Sequence, residues 1–208
     1  MKVYQLHAAS PLCLNWVNHK DCKPISQAFG KKLIVEIPRG ISISDVFNKV
    51  QPRLKIEFDD CSEEEVKNNP YPDIIYQSLF LIFSPRAYSS LKHFLTQDCE
   101  EVIPQMPKRY KDYRAFNLLN VIEDSILVEK SINTRFSNSK IKPNIRSFYF
   151  NEEKIRHQAM FIDSKTNKEF YTDLFFNEVR RANLTGFKFS LMWDSEGPHP
   201  FKPIYRNY

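Results

Sequence analysis

Phe80-Leu-Ile-Phe83, then Ser84-Pro85, a helical stretch to Thr96, then Glu101-Val-Ile-Pro-Gln-Met106: this stretch decides how the fold is read. The pattern returns as Glu169-Phe-Tyr171, Thr172-Asp173, a helical stretch to Leu184, then Gly186-Phe-Lys-Phe-Ser-Leu-Met192. Ser84 to Thr172 and Thr96 to Leu184 are each 88 residues apart. Both copies read strand, capped helix, strand. In the first, Ser84 is the cap and Pro85 takes the first helical position, where the proline's missing N–H costs nothing. Tyr88, Leu91 and Leu95 recur at three and four, which gives that helix one apolar face. In the second, Thr172 is the cap. Phe175 or Phe176, Val179 and Ala182 line the inner face. Gly186, just beyond Leu184, is expected to close the helix in the left-handed conformation. Strand–helix–strand is a common way to lay a helix on a sheet, so the doubling predicts a scaffold and leaves duplication open.

Working outward, residues 2–6 alternate as a strand, and residues 10–31 are irregular, with Trp16 tucked beneath them. A strand is predicted at 32–37, ended by Pro38, and a short helix at 45–50 capped by Ser42 or Ser44. Leu54, Ile56 and Phe58 alternate inward on another strand. Ser62-Glu63-Glu64-Glu65 suits a helix start, because carboxylates favour the positive end of the helix dipole; Asn68–Pro72 breaks it. Asp73–Tyr76 leads into the first unit. Strands are expected at 113–122, 126–132, 146–151 and 158–163, with a polar break at 137–144 and a Pro-rich tail after Trp193 that lacks periodicity. No composition shift marks a boundary. The expectation is one α+β domain over residues 1–208, with a mixed, mostly antiparallel sheet, several short helices and the two strand–helix–strand units. Its first part, 1–53, is irregular.

The chain has 208 residues, enough for one substantial core, and 42% are hydrophobic. Phe (17) and Tyr (10) dominate the aromatics, while the 4 glycines disfavour a fold built on glycine-rich phosphate loops. The formal net charge of +5 is mild and comes from mixed charges, not from a basic tail. Only Lys108-Arg109-Tyr110-Lys111-Asp112-Tyr113-Arg114 concentrates cations, and local charge runs usually serve solvation. Met1–His7 lacks the apolar run of a signal peptide, and no stretch approaches the ~18 apolar residues of a membrane helix. A soluble, cytoplasmic protein is expected. Cys13, Cys22, Cys61 and Cys99 are too sparse for a disulfide scaffold and are read as reduced.

No catalytic motif stands out. Cys13, His19 and Cys22 group three soft or imidazole ligands, with His7 the only nearby fourth, but a structural zinc site needs four and the Cys spacing is too wide for a knuckle. Asp124 and Asp163 end strands without a motif partner. His93 sits on the first helix facing solvent, and His157 on a polar connection. A Gly-x-Ser-x-Gly elbow is absent. No cofactor, no metal and no enzymatic activity are expected.

Other residues carry a resemblance. A tyrosine-led strand ends in Leu118-Leu119-Asn120-Val121-Ile122, followed by Glu123-Asp124 and later Ser131. A further strand carries Phe148-Tyr149. The closing unit runs from Thr172 through an amphipathic helix to Gly186 and Phe187-Lys188-Phe189. The earlier unit pairs a Ser84-led helix with a strand containing Pro104. Over roughly residues 54–192 this resembles the bacterial immunity proteins of polymorphic toxin systems, a family first defined around a myxobacterial member. The resemblance implies a non-enzymatic binder that neutralises a cognate toxin domain encoded by a neighbouring gene, by blocking its active site or substrate surface. It makes 54–192 the family-like core and 193–208 a tail.

Two stretches are candidates for the toxin-binding face. Asp59, Asp60, Glu63, Glu64 and Glu65 can mimic phosphate against a basic nuclease cleft and steer association. Lys108, Arg109, Tyr110, Lys111, Tyr113 and Arg114 would suit an acidic toxin, since Arg and aromatic residues are enriched in interface hot spots. The alternative function is a nucleic-acid-associated protein or small processing enzyme using 108–114. A membrane partner is not expected, and a homo-oligomer stays open.

Overall fold

A computed structural model describes residues 1–8, 40, 42, 71–77, 80–103, 106–134, 144–197 and 204–207. The expectations for 10–31 with Trp16, the strands at 32–37 and 54–58, the helix at 45–50, the acids at 59–65 and most of the polar break at 137–144 lie outside these residues. So do Cys13, His19 and Cys22.

The chain is an α+β fold. Its strands are β1 (Lys2–Ala8), β2 (Ile74–Gln77), β3 (Phe80–Phe83), β4 (Cys99–Val102), β5 (Arg114–Leu118), β6 (Val121–Ile122), β7 (Ile132–Thr134), β8 (Asn144–Ser147), β9 (Met160–Asp163), β10 (Lys168–Thr172), β11 (Phe187–Asp194) and β12 (Ile204–Asn207). Its α-helices are α1 (Pro85–Asp98), α2 (Glu152–Ile155) and α3 (Asp173–Arg181). Among the described residues the mixed, mostly antiparallel strands form three sheets. A six-stranded sheet runs β12-β11-β1-β10-β9-β6, a four-stranded sheet runs β2-β3-β5-β4, and β7 pairs with β8. Among the described strands β6–β9 is the only parallel pair.

The doubled unit is present, in a form the sequence does not reveal. β3 and β4 do not touch; each pairs antiparallel with β5, which lies between them. β10 and β11 are likewise separated by β1, antiparallel to both. Each unit is therefore a split βαβ, with a strand from elsewhere in the chain inserted. Each also begins with an antiparallel partner, β2 beside β3 and β9 beside β10. The four-strand pattern is thus the same in both sheets.

The caps behave as the sequence predicts. Ser84 Oγ accepts from the Ala87 N–H and Thr172 Oγ1 from the Leu174 N–H. Leu91 and Leu95 are buried, Tyr88 is partly so, and both Phe175 and Phe176 are buried with Val179. Both helices bury into one shared cluster, where Phe94 meets Phe175 at 6.4 Å and Tyr4 stacks on Phe176 at 4.3 Å. The other face of the six-stranded sheet holds a second cluster of Val3, Phe148, Phe150, Phe161, Phe170 and Trp193.

Several boundaries are corrected. The strand expected at 113–122 is two strands in two sheets. The Leu119 and Asn120 N–H groups donate to the Asp98 carbonyl at 2.9 and 3.3 Å, and Asn120 Nδ2 donates to Met160 O at 2.9 Å. These bonds hand the chain from one sheet to the other. Residues 127–131 form a turn, and Ile126 makes only an isolated bridge to Phe150. The tail after Trp193 contributes β12, which pairs antiparallel with β11. α3 ends three residues earlier than expected, and Asn183, not Gly186, is its left-handed closing residue (φ 49). The Asn183 N–H donates to Arg180 O and the Leu184 N–H to Val179 O, the paired bonds of a Schellman motif. Gly186 (φ +98) serves another need: a Cβ there would lie 2.2 Å from Pro72 Cβ and 2.6 Å from the Ile74 carbonyl oxygen.

The start of β2 is tied to both helices through Asp73. Its buried carboxylate accepts from Ser84 Oγ, from Arg86 at both oxygens, and from the Thr185 N–H and hydroxyl. Arg86 goes on to donate to Ala182 O and Asn183 O, the terminal carbonyls of α3. Although burial opposes it, these donors hold the Asp73 carboxyl below its ordinary pKa.

Candidate functional site

Residues 101–103 and 106–114 form a candidate contact face. β4 leaves the sheet at Val102, and the next residue, Ile103, is 94% exposed. The chain returns through a short 3-10 turn at Lys108–Tyr110 and re-enters as β5. Tyr110 is buried against Ile75, Phe80, Ile82, Val102 and Ala115, with Met106 and Tyr113 packed over the same cluster. The basic-aromatic stretch is therefore a cover laid on the second face of the four-stranded sheet.

This explains the fate of each side chain. Tyr110 and Tyr113 meet edge to face at 5.0 Å. The Tyr113 hydroxyl donates to Pro72 O at 3.0 Å, and its pKa is pushed up to about 12, chiefly by burial. Arg114 pairs with Glu101 and lies 3.9 Å from the centre of the Tyr88 ring. Arg109 lies over Tyr110 at 5.9 Å. Lys108, Lys111 and Asp112 face solvent. With Tyr110 buried, the stretch does not present the run of exposed rings on which successive bases stack.

Between the cover and the sheet edge lies a cleft of about 230 Å³, lined by Glu101, Val102, Ile103, Met106, Lys111, Tyr113 and Arg114. Ile103 stands at its rim. Tyr71, 64% exposed, lies near enough to raise the Tyr113 phenol electrostatically. Val102, Ile103, Met106 and Tyr113 give the cleft its apolar lining, with Lys111 and Arg114 beside them. Of the sequence candidates, the structure brings Lys111, Tyr113 and Arg114 to the cleft and turns Tyr110 inward. Asp59, Asp60, Glu63, Glu64 and Glu65 lie outside the described residues. Ile103, Met106, Glu101 and Tyr71 are added. Their one sequence signal was an apolar Ile103 just before Pro104, where a strand has to stop.

Titratable groups are scattered rather than assembled. His93 and His157 are exposed. Asp163 is fully buried and accepts from Ser125 Oγ, the Thr166 N–H and Thr166 Oγ1, each at 2.7 Å, a local turn the sequence left without a partner. Asp124 (φ 54) pairs with Lys165 and Lys154 on the surface. Burial raises the Cys99 thiol, so it stays protonated. Among the described residues no group of three His, Cys, Asp or Glu side chains could hold a metal ion, and no helix is long and apolar enough to cross a membrane. No protein-family model and no curated protein matches the chain.

Proposed function

We propose that this protein is an immunity protein that binds a cognate toxin domain through the 101–114 face. The observation that carries the reading is Ile103, a large apolar side chain almost wholly in water at the rim of a cleft. Burying it against a partner would contribute about 1.5–3 kcal/mol. Around it, the paired Arg114 and Glu101 and the half-buried Tyr113 are held rigidly, so little side-chain entropy is lost on binding. Lys108 and Lys111 give the rim a positive field, which suits an acidic toxin surface surrounding an apolar pocket. The resemblance over residues 54–192 supplies the toxin as the partner class.

The test is co-expression with the neighbouring open reading frame. Rescue from its toxicity together with co-purification is the expected result. Ile103→Asp should weaken the complex by roughly tenfold or more, on the order of 1.4 kcal/mol per decade, with an unchanged melting temperature. Reversing Asp59, Asp60, Glu63, Glu64 and Glu65 to Lys is the rival arm. Unchanged affinity in Ile103→Asp and loss in the acid-reversed chain would move the interface to residues 59–65.

A further inference from the structure

The four-stranded sheet has two edges, and they differ. At β2 the Ile74 N–H donates to Thr185 O at 3.0 Å, so that edge is partly closed by the chain itself. At β4 the ladder can be read from one bond. The Leu119 N–H donates to Asp98 O, which makes Asp98 and Leu119 a hydrogen-bonded pair. In an antiparallel ladder bonded and non-bonded pairs alternate. The register Cys99–Leu118, Glu100–Asn117, Glu101–Phe116 and Val102–Ala115 therefore turns the main-chain groups of Glu100 and Val102 towards β5, and those of Cys99 and Glu101 away from it. The Cys99 N–H returns to Leu95 O at the end of α1. The Cys99 carbonyl and both main-chain groups of Glu101 are left facing outward, and among the described residues nothing bonds to them. Glu101 is exposed, and the next apolar residue past the edge is the almost wholly exposed Ile103.

We propose that the partner binds as an added strand: an extended segment of the toxin domain pairs with the outer edge of β4. The segment sets an apolar side chain in the cleft beside Ile103 and a carboxylate on Lys111. This rests on the toxin-binding reading of the contact face and names the shape of what that face receives. Main-chain bonds along an edge serve any sequence equally, so the side chains beside the edge have to choose the partner. Here they are distinct. Val102, Ile103, Met106 and Tyr113 line a cleft of about 230 Å³, room for a large apolar side chain. Lys111 lines the same cleft, faces solvent and has no ion-pair partner among the described residues. Side chains two apart on a strand share a face and stand roughly 7 Å from one another, so the matching segment reads apolar, any residue, acidic. Charged residues on an edge usually repel a second strand. In β4 that guard is relaxed, because Glu101 is paired with Arg114 and the Glu100 carboxylate accepts from Ser42 Oγ at 3.0 Å. Four residues of β4, ended by Val102, give too short an edge for pairing on main-chain bonds alone.

The experiment uses the full chain and the toxin domain encoded by the neighbouring open reading frame. Amide hydrogen exchange reads the edge directly: the Glu101 N–H should exchange at least tenfold more slowly in the complex than in the free chain. Glu101→Pro removes that donor at an edge position whose N–H faces outward, where a sheet accepts proline. Glu101→Ala loses the same carboxylate and keeps the N–H. The proline chain should bind at least tenfold more weakly than the alanine chain, one decade of dissociation constant. Lys111→Glu should weaken the complex severalfold, more so at low salt, and unchanged affinity there overturns the acidic element of the pattern. If Glu101→Pro does not fold, exchange at Glu101 in the parent chain decides. Suppose Ile103→Asp weakens the complex, yet Glu101 exchanges as in the free chain or the proline and alanine chains bind alike. Strand pairing is then overturned while the contact face stands. No complex, or one indifferent to Ile103→Asp, overturns both.

Discussion

Asp98, the last residue of α1, is 6% exposed, and burial pushes its carboxyl up to about 6 from 3.8. Folding therefore favours its protonated form. The stability tied to this group is fully present below about pH 4, and it is lost as pH rises through 6. A shift of two units corresponds to about 3 kcal/mol. Solvent near the end of the helix screens the charge, so about 1–2 kcal/mol is the working figure. Asp98→Asn retains the shape and the backbone carbonyl that accepts from Leu119 and Asn120, but it cannot ionise. It should stabilise the protein by about 1–2 kcal/mol at pH 7.5 and by nearly nothing at pH 4. Urea unfolding at the two pH values, with equal m-values in both chains, measures this directly. An Asn variant whose stability difference from the parent is the same at both pH values would refute the reasoning, because ionising Asp98 would then cost the fold nothing.

Asp73→Ala strands Arg86, Ser84 and Thr185 at once and should cost about 3 kcal/mol or more, read by chemical denaturation. Because the Asp73 pKa is lowered in the fold, its contribution is present above the ordinary carboxylate range and lost as pH falls through the lowered value, the opposite sense to Asp98. Gly186→Ala places a methyl against Pro72 and the Ile74 carbonyl in a left-handed conformation, and a loss of about 3 kcal/mol or a failure to fold is expected. Ser84→Ala removes the α1 cap as well as a donor to Asp73. It should cost about 1–2 kcal/mol, seen as a lower midpoint in urea.

What the sequence made legible was local. Ser84, Pro85 and Thr172 announce helix starts because capping depends on the next three residues. Leu91, Leu95, Phe175 and Val179 announce inner faces because helical spacing repeats within one turn or two. Sheet membership is non-local and stayed hidden. Nothing in Tyr4 or Leu6 says that their strand separates β10 from β11. Nothing in residues 113–122 says that Asp98 draws the chain out at Leu119. Glycine is the commoner left-handed residue, so the sequence points to Gly186 ahead of Asn183, yet Gly186 answers to Pro72, more than a hundred residues away. The candidate site was half legible. Its cations were visible as a run, but their aromatic neighbours turned inward, and the exposed Ile103 belongs to the other end of the loop.

The interior position of β1 also dictates an order of assembly. β2 to β5 span residues 74–118 and can pair soon after they leave the ribosome. β1 emerges before them, but its partners β10 and β11 begin only at Lys168 and Phe187. At ~5–20 residues per second, the newborn Val3-Tyr4-Gln5-Leu6 segment waits roughly 10–30 s for a neighbour. The six-stranded sheet is therefore a late event in the life of the chain. Its first strand spends that interval as exposed apolar sequence, a ready substrate for a chaperone that recognises extended hydrophobic segments.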